Sequence, residues 1–330
     1  MPHPMPAPAI DQALELTGLR IEPPSGRLLA VTVGVLMLAV LLGVSVGAGG
    51  WNWPIIAQLR IPRVLAGAGA GALLALAGLA MQLVLRNPLA DPYVLGASAG
   101  AGMGAIGMLV VFGRLLWLGS VGGALAALGL LLLLGRRAMA SPDDEAPAQL
   151  ILIGAMLSAV FAAGSTLLLA LVPEQSLRGA VFWLVGDLSG ARFGRWLCLV
   201  AIVLAAVLAG WSRAFDRLAL GSEHAWLLGE PVHRLRLGLV LLAAVATGAA
   251  VAEAGAVGFV GLVVPHLLRL FGVVRMRQQS WAVPLVGAAL VVVADSLARG
   301  VAMPYELPVG AITALIGAPV FMLLLIRQPR

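Results

Sequence analysis

Long apolar stretches separated by isolated charges dominate the sequence. When Asp, Glu and Arg are taken as boundaries, ten charge-free runs of 15 or more residues remain. Six of the ten reach the roughly 18 residues that a membrane-spanning helix needs. The shorter runs can still span, because arginine stems snorkel to the interface and helices buried in a bundle need not match the bilayer alone. The pattern predicts an all-α integral membrane protein with about ten transmembrane helices, at residues 28–59, 64–85, 92–113, 115–135, 146–173, 196–212, 237–252, 254–268, 278–294 and 307–326.

Composition supports the membrane class. Of the 330 residues, 61% are hydrophobic and 11% are charged, and the mean hydropathy is +1.02. A soluble domain carries about 25% charged residues. Residues 1–27 are polar and Pro-rich and do not resemble a cleavable signal peptide. We therefore expect a cytoplasmic N-terminal segment over 1–27, followed by a single transmembrane domain over 28–330.

The arginines are distributed unevenly between the predicted loops. With the N-terminus in the cytoplasm, 14 of the 21 arginines lie in inner segments and 7 in outer segments. Such an excess in short inner loops is the positive-inside signal, so both termini are predicted to be cytoplasmic. The formal net charge of +6 then reflects topology and contact with anionic membrane lipids. It gives no reason to expect nucleic acid as a partner.

Two absences exclude several kinds of chemistry. All 21 Lys-plus-Arg positions are Arg, so neither a GxxxxGK[ST] phosphate loop nor a Schiff-base lysine exists. The chain therefore cannot be its own P-loop ATPase. Cys198 is the single cysteine, which excludes a disulfide framework and a thiolate metal cluster. The acidic stretch SPDDE at 141–145 lacks a second acidic cluster to face it, and no metal site is predicted.

The segment RNPLADPYVLGASAGAGMGA, residues 86–105, combines a sharp chain break with a helix of small residues. Prolines and short polar residues end a helix and favour a turn. The residues of the break are Asn87, Pro88, Asp91 and Pro92. Glycines four residues apart let two membrane helices approach closely. They are Gly96, Gly100 and Gly104. From spacing alone, pure helix packing and a gate are both open.

Three long segments resemble one known family. They are LRIPRVLAGAGAGALLALAGLAMQLVLRNPLADPYVLGASAG (59–100), GFVGLVVPHLLRLFG (258–272) and ADSLARGVAMPYELPVGAITALIGAPVFMLLL (294–325). In the same order, they are similar to the FecCD-type permease subunits of binding-protein-dependent ABC importers for iron chelates, haem and cobalamin. The resemblance implies the type II ABC importer permease fold and a homodimer around a central pathway.

The same resemblance implies the partners and the location. It implies two cytoplasmic ATPase subunits that hold ATP and Mg²⁺, one periplasmic or extracytoplasmic solute-binding protein, and a metal-chelate cargo. The chain would lie in the bacterial inner membrane as a multi-pass permease domain. It would be no enzyme by itself and would bind no cofactor or metal of its own.

LALGSEHAWLLGE, residues 218–230, lies in the largest predicted inner loop, at about 213–236. It resembles the coupling-helix segment through which the family engages its ATPase. The positions to which the resemblance assigns coupling are Leu218, Leu220, Gly221, Glu223, His224, Ala225, Leu228 and Gly229. From spacing alone, a plain amphipathic surface helix is the alternative.

Local physics is compatible with a short helix in that segment. Glu223 favours a helix start electrostatically, and Gly229 can end the helix. Ala225 and Leu227 would offer an apolar knob. Trp226 departs from the family pattern, because it is bulkier than expected there.

Three arginines oppose the positive-inside trend at the predicted outer face. Arg60 and Arg63 frame the start of the second predicted helix, and Arg299 follows the ninth. They match positions at which the family presents arginines to glutamates of the binding protein, where Arg can make bidentate contacts. Interfacial snorkelling is an alternative. For Arg299, pairing with Asp295 four residues earlier is another.

The fifth run carries no charge over 28 residues. In the family this helix lines the pathway of the dimer, and a weakly polar wall suits a bulky chelate that must not be held tightly. The pathway residues implied are Met156, Ser158, Ser165 and Thr166. The expected mechanism is ATP-driven alternating access. The alternative is an ion-coupled secondary transporter, for which Asp295 is the arguable intramembrane carboxylate.

Overall fold

The computed structural model describes residues 25–47, 50–113, 115–136, 146–303 and 305–326. Within those ranges the regular secondary structure is helical throughout, which confirms the all-α prediction. Residues 1–24 and the acidic stretch 141–145 lie outside the described residues. The helices are α1 Ser25–Ser45, α2 Trp53–Val84, α3 Ala97–Phe112, α4 Leu116–Leu134, α5 Ala146–Leu169, α6 Glu174–Val185, α7 Gly194–Gly210, α8 Ser212–Ala219, α9 Ser222–Leu227, α10 Val232–Ala254, α11 Val260–Leu270, α12 Met276–Gly300 and α13 Val309–Ile326.

Each apolar run predicted from the sequence overlaps a helix of the described structure. Within the described ranges, six helices are long and apolar enough to cross a membrane, or seven if α7 and α8, which are bent by 68° at their junction, form one span. α3, α11 and α13 are shorter apolar helices. The chain is therefore a multi-pass membrane protein, and its ten-span count stays a prediction.

Helix α2 forms the centre of the bundle. It contacts α7, α10, α11 and α12, and almost every residue from Ala66 to Val84 is buried. Small residues make this possible because they let helix backbones meet. A Cβ atom placed on Gly78 would lie 2.0 Å from the carbonyl oxygen of Gly261, and one on Gly71 would lie 2.2 Å from that of Gly287.

The glycines of α3 form a second close contact. A Cβ on Gly104 would lie 2.0 Å from the carbonyl oxygen of Gly119 in α4, and one on Gly100 would lie 2.5 Å from that of Gly123. Two glycine pairs, each spaced by four residues, thus face each other across α3 and α4. The stripe of small residues that follows the chain break is a packing surface.

The turn between α2 and α3 is built from short polar side chains. The Asn87 side-chain oxygen accepts the backbone N–H of Leu89 at 2.9 Å, and Asp91 Oδ1 accepts that of Tyr93 at 2.8 Å. Asp91 thereby caps a 3₁₀ turn that begins at Pro92. Gly96 follows with φ +78°, a left-handed conformation that glycine adopts without steric strain. The side chains in the break therefore hold the turn.

Two helix boundaries differ from the sequence expectation. α2 begins at Trp53, so Arg60 and Arg63 lie inside the helix and do not frame its start. A π-helical turn covers Ile56–Arg60. α12 extends to Gly300, so Arg299 lies in its last turn. Charges served as boundaries in the sequence, whereas buried partners let these arginines remain within the helices.

Candidate functional site

The bundle has two ends with different chemistry. One end, here called the arginine end, carries Arg60, Arg63, Asp295, Arg299 and Glu306. The other, here called the α8–α9 end, carries the short helices α8 and α9 together with the α2–α3 turn. Most of the site residues predicted from sequence lie at one of these ends.

At the arginine end, two guanidinium groups cap the C-terminus of α1. Arg60 donates to the carbonyl oxygens of Val44 at 2.9 Å and Ser45 at 3.2 Å, and to two further carbonyls in the loop that follows. Arg299 donates to Gly43 O at 2.9 Å and Val46 O at 2.6 Å. The last carbonyls of a helix have no partner within the helix, and a cation there also meets the negative end of the helix dipole. The two arginines therefore fasten α1 to α2 and α12.

A single carboxylate joins two arginines at this end. Asp295 is 1% exposed; its Oδ1 accepts Arg63 Nε at 2.8 Å and its Oδ2 accepts Arg299 Nε at 2.9 Å. Arg63 also pairs with Glu306 at 2.7 Å, and the Glu306 side chain is 49% exposed. Asp295 thus has two cationic partners, and Glu306 lies at the solvent-facing edge of the same network.

Two of the three arginines that were predicted to dock the binding protein point inward. Arg60 is 4% and Arg299 5% exposed, and both donate to internal groups, so docking at these positions stays a prediction. The pairing of Arg299 with Asp295, which the four-residue spacing allowed, is present. The sequence held a signal for the capping by Arg60. The first run is too long for one span and contains the glycine-rich segment 47–50, which favours a helix C-terminus shortly before Arg60.

At the α8–α9 end, a short helix stands on a buried base. Gly221, with φ +125°, precedes α9, and Gly229, with φ +80°, follows it. Glu223 lies in its first turn, as electrostatics favours. The residues of this segment that face inward are Leu218, Gly221, Ser222 and Ala225. Those that face outward are Leu220, Glu223, His224, Trp226, Leu227, Leu228 and Gly229.

Four large apolar side chains project from this segment into solvent. Their exposed fractions lie between 57% and 69%, and we call the group the apolar tip: Leu220, Trp226, Leu227 and Leu228. Ala225 was expected to be part of the knob, and this was wrong, because Ala225 is fully buried. Positions 222 and 225 lie on the inner face of the short helix, so the next residue, Trp226, points outward.

Polar contacts attach the α8–α9 segment to the bundle. Asp216 Oδ1 accepts the backbone N–H of Met276 at 2.8 Å, which ties α8 to the first residue of α12. The buried Arg236 of α10 donates to Ser222 Oγ at 2.5 Å. Arg217 pairs with Glu230, so the two sides of the segment are also bridged. Sequence reasoning missed these attachments, because none of the pairs has the three- or four-residue spacing of neighbours on one helix.

A cavity of about 320 Å³ lies beneath α8. Its walls come from the end of α2 and the following turn, from α8, from the end of α11 and from the start of α12. The polar and charged residues that line it are Gln82, Arg86, Asn87, Asp216, Arg269 and Gln279.

The four predicted pathway residues do not share one face of α5. Met156 and Thr166 lie on the exposed face. Ser158 is half-buried and Ser165 is buried, and each donates its hydroxyl to the carbonyl four residues earlier at 2.9 Å. The exposed face of α5 is therefore apolar apart from Gln149 and Thr166, and the two serines belong to the packed face.

Among the described residues, no three His, Cys, Asp or Glu side chains come together in a way that could hold a metal ion. His266 is 3% exposed and its ring meets the ring of Phe321 edge-on at 5.6 Å.

The chain is similar in sequence to permease proteins of two import systems. Over 320 residues the chain is 36% identical to the vitamin B12 import system permease protein BtuC of Pectobacterium atrosepticum, covering 92% of this chain and 94% of that protein. Over 291 residues it is 35% identical to the hemin transport system permease protein HmuU of Yersinia pestis, covering 84% of each chain.

Two solved structures are similar to the chain over most of its length. A metal-chelate type ABC transporter in an inward-facing conformation matches with a TM-score of 0.81 and 28% identity, over 92% of this chain and all of that one. PsaBC from Streptococcus pneumoniae, solved in complex with Fab, shares the fold at a TM-score of 0.56 and 12% identity, over 82% of this chain and 92% of that one. The FecCD transport family model matches residues 27–327, and the chain belongs to that family.

Proposed function

We propose that this chain is the permease subunit of an ATP-driven importer that moves a bulky metal chelate, such as a ferric siderophore, haem or cobalamin, across the bacterial inner membrane. The observation that carries the proposal is the apolar tip on a short helix that is firmly attached to the bundle. In a protein of the FecCD family, such a tip is suited to fill a cleft in a separate ATPase subunit.

The proposed orientation places the α8–α9 end in the cytoplasm. The arginines at or near this end include Arg86, Arg213, Arg217, Arg234, Arg236, Arg269, Arg275 and Arg277. This excess supports cytoplasmic termini by the positive-inside rule. The arginine end would then face the binding protein.

Docking of the binding protein at the arginine end is part of the proposal in a narrower form than the sequence predicted. Arg60 and Arg299 act as internal caps, and Arg63 with the half-exposed Glu306 forms the accessible edge. The prediction that all three arginines contact the partner stays open to test by charge reversal.

The proposed pathway runs between two copies of this chain along the exposed face of α5. That face is uncharged and largely apolar, with Met156 and Thr166 on it, and it offers no strong ligand to a passing chelate. ATP and Mg²⁺ would be held by the two ATPase subunits, and this chain would contribute no cofactor and no catalytic residue. Selection of the chelate would rest mainly with the binding protein.

An ion-coupled secondary transporter is not favoured. It would use a carboxylate that is able to gain and lose a cation during transport. Asp295, the arguable candidate, has both carboxylate oxygens engaged by arginines, and the relatives are permease proteins of import systems.

The experiment that tests the proposal is affinity purification of the tagged chain from its native host in a mild detergent, with identification of the co-purifying proteins and an ATP hydrolysis assay. We expect a soluble ATPase subunit in equal stoichiometry, with ATP turnover. Recovery of the chain alone from several detergents, without ATPase activity, would contradict the proposal.

A further inference from the structure

The cavity beneath α8 has an excess of positive charge. Arg86 and Arg269 line it, and Arg275 lies close enough to act electrostatically on Asp216. Among the described residues that line the cavity, Asp216 is the one acidic side chain, and its Oδ1 already accepts the Met276 N–H. A cavity with more guanidinium than carboxylate groups favours an anionic occupant, and arginine recognises carboxylates with directional, charge-assisted hydrogen bonds.

The wall of the cavity is preorganised. Gln82 is buried; its amide nitrogen donates to the carbonyl oxygens of Gly261 at 3.2 Å and Leu262 at 3.3 Å, while its oxygen accepts from Arg269 Nη2. The guanidinium of Arg269 is therefore fixed along the wall by the end of α2. Fixed donors raise affinity because little side-chain freedom remains to be lost on binding.

Arg86 adopts a backbone conformation that does not suit it. It follows the end of α2 with φ +47°, and the next N–H, that of Asn87, returns to Gln82 O at 3.2 Å. This is the helix-ending motif in which glycine usually occupies the left-handed position. A side chain there costs about 1 to 2 kcal/mol. Strain of this kind clusters at functional positions, and here it places an exposed arginine at the rim of the cavity.

We propose that this cavity receives an acidic side chain of the ATPase subunit, as a polar contact beside the apolar tip. The proposal rests on the proposed function, because it needs an ATPase partner at this end. α8 forms a wall of the cavity and also leads directly into the segment that bears the tip, so one partner surface can reach both. A lipid headgroup is less suited, because α2, whose end forms the cavity, is enclosed by α7, α10, α11 and α12.

The test measures the dissociation constant between the purified full-length chain and its ATPase subunit for the wild type, Arg86→Gly and Arg86→Lys. Glycine removes the guanidinium and also relieves the left-handed strain, so the fold is expected to be retained, with an unchanged or higher Tm. We expect Arg86→Gly to weaken binding about tenfold at roughly 0.05 M salt and clearly less at about 0.5 M, where charges are screened. Arg86→Lys should keep most of the affinity.

Other outcomes overturn the proposal in distinguishable ways. If Arg86→Gly binds as tightly as the wild type at both salt concentrations while Trp226→Ala loses binding, the coupling function holds and the cavity proposal is wrong. If the wild type itself binds no ATPase subunit, both fail. If inorganic phosphate raises the Tm of the wild-type chain alone, and Arg86→Gly loses that shift but keeps its ATPase affinity, the occupant is a free anion and the proposal is overturned.

Discussion

The two ends of the bundle differ in which side chains they bury and which they expose. At the arginine end, charged side chains lie within the protein and their partners are internal: helix carbonyls for Arg60, and Asp295 for Arg63 and Arg299. At the α8–α9 end, large apolar side chains project into solvent and no described residue covers them. The first arrangement stabilises the bundle by itself, whereas the second becomes favourable only when a partner buries the apolar surface.

Arginine also occurs in different surroundings at the two ends. Arg60 and Arg299 are almost fully buried and complete the C-terminus of α1, while Arg86 is exposed and sits in a strained turn. Arginine count alone would treat these positions alike. The buried arginines hold α1 against its neighbouring helices, whereas for the exposed Arg86 we propose a contact with the ATPase subunit.

The largest expected effect concerns the ion-pair network of Asp295 with Arg63 and Arg299, here called the structural clamp. Asp295→Ala would leave two buried guanidinium groups without their shared carboxylate, and removal of one member of a buried ion pair destabilises by about 3 to 5 kcal/mol. Unfolding in mixed micelles should show this loss of unfolding free energy. The unfolding free energy of Asp295→Asn should lie between those of the wild type and Asp295→Ala. Glu223→Ala, at an exposed carboxylate of the other end, is the control. An Asp295→Ala variant within about 0.5 kcal/mol of the wild type would show that the clamp contributes little.

A second prediction concerns the glycine contact that holds α3 against α4 between the two ends. Gly104→Ala would place a methyl group 2.0 Å from the Gly119 carbonyl, so the helices must separate. We expect a loss of about 1 to 3 kcal/mol. Gly122→Ala is the matched control, because a Cβ on Gly122 meets nothing within 4 Å. Equal unfolding free energies for the two variants would contradict the close packing.

The α8–α9 end should respond to pH through Asp91. Burial raises the pKa of Asp91 from an ordinary value near 3.8 to about 6, against the opposing hydrogen bond from Tyr93. The folded protein therefore holds this proton more tightly, and stability from this group falls as pH rises from about 4 to about 6. Asp91→Asn keeps the capping oxygen without the charge. Since Asp91 is half-buried, we expect Asp91→Asn to be more stable at pH 7 by about 1 to 2 kcal/mol.

The measurement is the thermal unfolding of Asp91→Asn and of the wild type between pH 4 and pH 8, in steps of about half a pH unit. The difference in Tm should vanish near pH 4 and grow toward pH 7. Parallel profiles over the whole interval would be inconsistent with a raised pKa at Asp91.

The smallest expected change in unfolding free energy is at Glu306, the solvent-facing edge of the arginine end. Glu306 pairs with Arg63 but is half-exposed, and water screens such a pair. Glu306→Gln should therefore change the unfolding free energy by less than about 1 kcal/mol. A loss as large as that of Asp295→Ala would mean that Glu306 belongs to the structural clamp.

Much of the fold could be predicted from the sequence, because charge-free runs and glycine spacing are local signals. The helices follow the runs, and the glycines of α3 meet those of α4. The inward direction of Arg60 and the burial of Ala225 could not be predicted, since each depends on which distant residue lies opposite. The position of the apolar tip was predicted from the resemblance, but its composition was decided by which face of a six-residue helix points inward.

The proposed function requires the α8–α9 end to bind an ATPase subunit through the apolar tip. The most direct test compares Trp226→Ala with Trp51→Ala, an equally drastic truncation of an exposed tryptophan outside that end. The measurement is the amount of ATPase subunit recovered with each tagged chain, together with the Tm of each variant. We expect Trp226→Ala to lose most of the ATPase at an unchanged Tm, and Trp51→Ala to retain it. Equal recovery with both variants would contradict the claim.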